Sequence, residues 1–246
     1  MPDRLVPAAG AAQAMNKSCM KSSGQSGFSL MELVVGMSIT LVIMTIASTL
    51  LASSFAIRGR ENQRSAAIAD AQRALNTMSR EIANAGYGLS TNGVVAGDSG
   101  LNQIRVRSDL DLSGATGASG EDIKYVLIND ANGSFIVRMD LQPGQTTGLI
   151  ANRIDGLKIR YYDELVTYTT GNCTTGVVNC DISNVRNAAG AVKAEVATPD
   201  LAKYIVLIVN VTLPAVGTVG SPGYQAPSAT QLVSTVTLRN ASLQYY

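Results

Sequence analysis

GFSLMELVVGMSITLVIMTIASTLLASSFAI, residues 27–57, decides how this chain is organised. Beyond Glu32 the stretch runs for 25 residues, Leu33 to Ile57, without a single charge. As an α-helix that run would be about 37 Å long, against a hydrocarbon core of about 30 Å. It can cross a bilayer with some tilt. An ordinary secretory signal fits badly, because its apolar region is about 7–15 residues long and is followed by a small-residue cleavage site. A plain membrane anchor accounts for the length but not for the lone acid, Glu32. A carboxylate within an apolar helix is expensive and calls for a partner.

Towards the N-terminus, residues 1–27 are polar, rich in Gly, Ser and Ala, and end in KSSGQSG. They carry Arg4, Lys17 and Lys21 against Asp3, which leaves a net charge of −1 on the rest of a +1 chain. No basic face exists to track a phosphate backbone, so nucleic acid is not expected as a partner. Towards the C-terminus, charge resumes at Arg58, Arg60, Glu61 and Arg64. Ile68, Ala71, Leu75, Met78 and Ile82 then form one apolar helical stripe, with Arg73, Asn76, Arg80 and Glu81 on the other faces. Gly86-Tyr87-Gly88 is a suitable stop. The pattern predicts one nearly continuous helix from Phe28 to about Ala85, apolar all round at first and one-sided afterwards.

The remainder reads as β-structure. Gln103–Arg107, Ile123–Ile128, Ser134–Asp140, Leu157–Tyr162, Tyr204–Leu213 and Leu232–Leu238 are the expected strands. Residues 129–133, NDANG, form a hairpin connection. Pro199, Pro214, Pro222 and Pro227 punctuate the loops. Short sequential strands imply an antiparallel sheet, with the one-sided half of the helix covering one of its faces. The expected fold class is therefore α+β. Aromatic residues at Tyr161-Tyr162 and Tyr245-Tyr246 read as core on one side of a strand and rim on the other.

Cys173 and Cys180, in a Gly/Thr/Asn-rich stretch, read as a small disulfide loop, which implies an oxidising compartment. The alternative is two separate thiols. Cys19 lies in the N-terminal segment. With no His in the chain, a Ser or Cys triad of the usual kind cannot form and zinc loses its commonest ligand, so neither an enzyme nor a cofactor is expected. Asp109, Asp111 and Ser113, followed by Gly114, resemble the opening of a calcium loop. The twelfth position is Gly120, however, and Glu121 and Asp122 come one and two places late. A polar loop is the simpler reading.

Gly27-Phe28-Ser29-Leu30-Met31-Glu32 resembles the class III signal of type IV pilins and type II secretion pseudopilins. The resemblance implies that a prepilin peptidase cuts between Gly27 and Phe28, that Phe28 becomes an N-methylated mature terminus, and that Glu32 serves in assembly. It implies a pilin fold, storage in the inner membrane with a periplasmic head, and partners that are major and minor pilins meeting through N-terminal helices. Residues 78–87 (MSREIANAGY), 154–162 (IDGLKIRYY) and 236–240 (VTLRN) look like PilW-type minor pilins. J-type pseudopilins of type II secretion are the nearest competitor. The expected organisation is a leader over residues 1–27, a membrane or filament-core helix over 28–57, an amphipathic helix half over 58–88 and a β-rich head over 89–246. A leader of 27 residues is long for such proteins, and Met15 and Met20 offer later starts.

Overall fold

The computed structural model describes residues 27–131, 133–142, 147–152, 154–171, 173, 180–221 and 223–241. The leader, with Met15, Lys17, Cys19, Met20 and Lys21, lies outside the described residues. So do Asn132 in the expected hairpin, Pro222, and the Tyr245-Tyr246 pair.

A single long helix, α1 (Leu30–Ala83), precedes nine strands. These are β1 (Gln103–Arg107), β2 (Asp122–Asp130), β3 (Gly133–Asp140), β4 (Thr147–Asn152), β5 (Gly156–Tyr162), β6 (Val166–Thr169), β7 (Ser183–Asn187), β8 (Tyr204–Leu213) and β9 (Ser228–Thr237). They pair antiparallel in three sheets, ordered β1-β2-β3-β4, β5-β8-β9 and β6-β7. The architecture is α+β, a long N-terminal helix followed by antiparallel sheets, as expected. The chain divides into two compact units, one ending at Ala47 and the other starting at Ser48.

From Ala67 onwards α1 buries one face: Ala67, Ala71, Ala74, Leu75, Met78 and Ile82. The expected stripe is there, but it runs through Ala67 and Ala74 and leaves Ile68 half-buried. Alanines at 67, 71 and 74 let the sheet approach closely, and the larger side chains follow where the core is deeper. Ile104, Tyr125, Leu157, Ile159, Ile205, Leu207 and Val209 meet this face in the main core.

Glu81 was expected on the solvent face. Instead it accepts a hydrogen bond from the Tyr125 hydroxyl and pairs with Arg138 at 2.9 Å. Arg60, from the stretch where charge resumes after the apolar run, is also held inside the structure. It is only 6% exposed and donates to the Ala226 carbonyl and, at 3.3 Å, to Ser228 Oγ.

The helix stops where foreseen. Its last turn, which has no helical partners of its own for its carbonyls, is met from outside: Arg239 N donates to Ala83 O at 3.2 Å, and Asn240 Nδ2 to Ala85 O at 3.1 Å. Gly86 and Gly93 then pack backbone to backbone. Both have positive φ, near 77°, and a Cβ on Gly93 would fall 2.1 Å from Gly86 N. Only glycine permits that approach.

β8 is buried on both faces. Ile205, Leu207, Val209 and Val211 enter the main core, while Val206 and Ile208 join Tyr162 and Val166 in a second cluster. Tyr168, Ile182 and Val185, from β6, β7 and their surroundings, pack against that second cluster. This corrects two expectations. There are three sheets rather than one, and Tyr162, 2% exposed, is core instead of rim.

Candidate processing and assembly site

The start of α1 gathers the residues that the sequence singled out. Leu33 N donates to Ser29 O at 3.1 Å and opens the helix. Phe28 and Glu32 are four residues apart, and Gly36 and Thr40 continue the row at the spacing that keeps one helix face. With Leu33 and Met37 these residues line a shallow apolar groove. Glu32 lies in the first turn, where the partial positive end of the helix favours an anion. Gly36 answers to nothing among the described residues, since a Cβ there would meet none of their atoms within 4 Å.

The rest of the apolar run is electrically quiet. Ser38 donates to Val35 O at 2.8 Å, Thr40 to Met37 O at 2.8 Å and Thr45 to Leu41 O at 2.8 Å. Ser53 and Ser54 both donate to Leu50 O. Hydroxyls turned back onto the preceding turn leave no donor to be solvated by lipid. Glu32 therefore stands as the single formal charge on residues 28–57. Every residue of 27–51 is exposed within the chain, and α1 is long and apolar enough to cross a membrane.

The calcium-like loop closes on itself. Asp109 accepts from the Ser113 and Gly114 amides at 2.9 and 2.8 Å. Asp111 accepts from Ser113 N at 3.0 Å. The carboxylates of Asp109, Asp111 and Glu121 lie within 4.8 Å of one another, so the acid one place late in sequence is brought in by the return of the chain. Glu121 accepts from the Leu110 and Ala118 amides, each at 2.8 Å. Ser113 enters through both its hydroxyl and its amide, which together hold the Asp111 carboxyl below its ordinary value. These three carboxylates could offer oxygens to a hard cation, but amides already occupy them.

Cys173 and Cys180 are bonded to each other, with Cα atoms 5.5 Å apart. Asn210, buried in β8, donates to Cys180 O at 2.8 Å and fixes that end of the loop to the sheet. Sequence reasoning missed Asn210, because one amide in a β-branched run gives no signal of its own. It missed the Glu81–Tyr125–Arg138 group for a similar reason, since its members are 44 and 57 residues apart.

The fold is thus a long helix whose first half carries one acid and no other charge and is apolar enough to cross a membrane, followed by a β-rich unit. Residues 22–48 match the family described as the prokaryotic N-terminal methylation motif. This motif is the signal of type IV pilins and pseudopilins, substrates of prepilin peptidase that assemble with other pilins, and the helix and sheets fit a pilin-like protein. No curated protein and no solved structure is significantly similar to the chain.

Proposed function

We propose that the protein is a minor pilin, cut between Gly27 and Phe28, N-methylated on Phe28, and built into a type IV pilus where it helps to initiate assembly or cap the tip. Before assembly the apolar half of α1 holds it in the inner membrane with the head in the periplasm, where Cys173 and Cys180 stay oxidised. One observation carries the reading: Glu32 is a lone carboxylate on an otherwise uncharged helix that carries the methylation motif. Cleavage would create an ammonium at Phe28, one turn from Glu32. That ammonium, its own or a neighbour's, is the natural partner for the acid, and the pairing would set axial register as a single polar residue does in a coiled-coil seam. Gly36, free of any demand among the described residues, gives a neighbouring helix room to come close.

The test is intact-mass and N-terminal peptide analysis of protein from membranes and from sheared filaments. The expected mature chain starts at methylated Phe28, and Gly27→Leu leaves the leader attached. Recovery of Lys21 in the mature protein overturns the reading. Recovery from secretion pseudopili instead of pili reassigns the subunit to type II secretion.

A further inference from the structure

The outer edges of the sheets are treated unequally. β1 is closed by residues 93–95, through Val95 N to Arg105 O at 3.0 Å and Arg107 N to Gly93 O at 2.7 Å. β5 is covered where Ile159 N meets Leu101 O at 2.8 Å and Val196 N meets Tyr161 O at 3.0 Å. β7 is covered by Ala191 and Lys193. β4 and β6 have an open side but are short, with six and four residues. β9 is different. It has ten residues in unbroken register with β8, and among the described residues no backbone group pairs with its outward main chain. Only its side chains are met, among them Gln231 Oε1 by Gly171 N at 3.0 Å and the Thr235 hydroxyl by that of Tyr168 at 2.8 Å.

The bond from Leu238 N to Lys203 O, 2.9 Å, sets the alternation: even-numbered residues turn their backbone to β8. Ala229, Gln231, Val233, Thr235 and Thr237 therefore turn theirs outward. Natural edges are protected by charge, proline, bulges or covering segments. From Ser228 to Thr237 there is no charge, no proline and no bulge. Beside this edge Gln72, Leu75 and Asn76 of α1 form a groove with Leu232, Val233 and Ser234. A strand laid in it would find main-chain partners on one wall and two amide side chains on the other.

We propose that the β9 edge takes up an extended, uncharged strand from the head of the adjacent filament subunit, which continues the β5-β8-β9 sheet across the subunit boundary. The absence of charge along ten residues selects the partner's chemistry, because a charged side chain would be desolvated there with nothing to pair with. This inference rests on the minor-pilin reading, which supplies the neighbour.

The experiment uses the full chain in cells. Thr235 is exposed, and its hydroxyl meets the Tyr168 hydroxyl at 2.8 Å. Thr235→Lys places a charge on the edge, and Thr235→Pro deletes one outward N–H and spares the β8 ladder. Tyr168→Phe, which removes only the hydroxyl contact, should leave incorporation unchanged. Val192→Lys, on an exposed residue away from this edge, is the control. The ratio of subunit in filaments to subunit in membranes should fall on the order of tenfold for both Thr235 variants and stay unchanged for the control. An intact Cys173–Cys180 bond and protease resistance in membranes show that the variants fold. In parallel, hydrogen exchange of the 229–237 peptide should slow on the order of tenfold in wild-type filaments relative to membranes. Equal exchange in the two states overturns the proposal, as does normal incorporation of both Thr235 variants. Absence of the wild type from filaments is a different result: it removes the minor-pilin reading, and this inference with it.

Discussion

At the scale of single residues, charge placement sorts the side chains by what each can be asked to do. Glu32 has no partner of opposite charge among the described residues, and the proposed function assigns it one in the ammonium that cleavage would create. Glu32→Ala should leave the protein cleaved, folded and inserted, and insertion should improve, because removing a carboxylate lowers the cost of placing the helix in lipid. What falls is the ratio of subunit in filaments to subunit in membranes, and Glu32→Gln should fail nearly as badly if the ionic pair matters. Equal ratios for all three proteins would refute the register role. Glu81 is the opposite case, an acid with two partners inside the head. Glu81→Ala strands the Tyr125 hydroxyl and the Arg138 guanidinium and should destabilise the head by about 2–3 kcal/mol. Arg73, exposed and paired only with Asp70 at 3.4 Å, should cost less than about 0.5 kcal/mol on truncation. Thermal melts of the detergent-solubilised full chain compare the two.

At the scale of elements, the disulfide and the strands show what local chemistry decides. The Cys173–Cys180 loop is short, so its closure removes little chain entropy and its loss should cost nearer 2 than 4 kcal/mol. Non-reducing peptide mapping should recover the two residues as one linked peptide, and melts of Cys173→Ser should show the modest cost. The helix was legible because 25 uncharged residues, followed by a five-residue stripe at intervals of three and four, carry a strong signal. β1 and β8 were legible to the residue, since QIRVR alternates and YIVLIVNVTL is mostly β-branched. β4, β6 and β7 were not. TGLIAN, VTYT and SNVRN have too few apolar residues to show a period, and they form because neighbouring strands supply the pairing. β9 starts at Ser228, ahead of the expected Leu232, for the same reason: Ser-Ala-Thr-Gln is recruited by β8. At the candidate site the methylation motif over residues 22–48 could be read directly, because its signal lies in one continuous stretch. Asn210 and the Glu81 group could not, because theirs depends on distant strands meeting.

For the whole molecule, acid is the expected weakness. Asp122 is buried, which raises its pKa, but hydrogen bonds from Arg105 and Arg107 at 2.7 and 2.9 Å outweigh burial and hold it below the ordinary value. Asp181 follows the same balance, with burial opposed by Arg160 and Lys158. Asp140 is lowered by Ser119 and the Gly120 amide against its burial. Each is a depressed carboxylate, so the unfolded chain binds more protons at low pH and stability rises with pH there. This contribution is complete above about pH 5 and is lost as pH falls through about 4 towards the native values. At the other limit, burial pushes Tyr162 up to about 12, a contribution present below about pH 10 and lost as pH rises through 12. With no histidine, stability should be flat between about pH 6 and 9. Melts from about pH 3 to about pH 11 would contradict this assignment if they showed a step near neutrality.

The bonds that finish α1 bear on how the protein would behave as a material. Arg239 and Asn240, at the far end of the chain, hold the carbonyls of Ala83 and Ala85, and Arg138 and Tyr125 grip Glu81 one turn earlier. A pull along the helix therefore reaches β3, β2 and the segment after β9 together. Attachments loaded in parallel share tension, whereas those loaded in series unzip one after another. The head is anchored to its own stalk in the first manner, so a stretching force on α1 would have to break these attachments together before the head came away from α1.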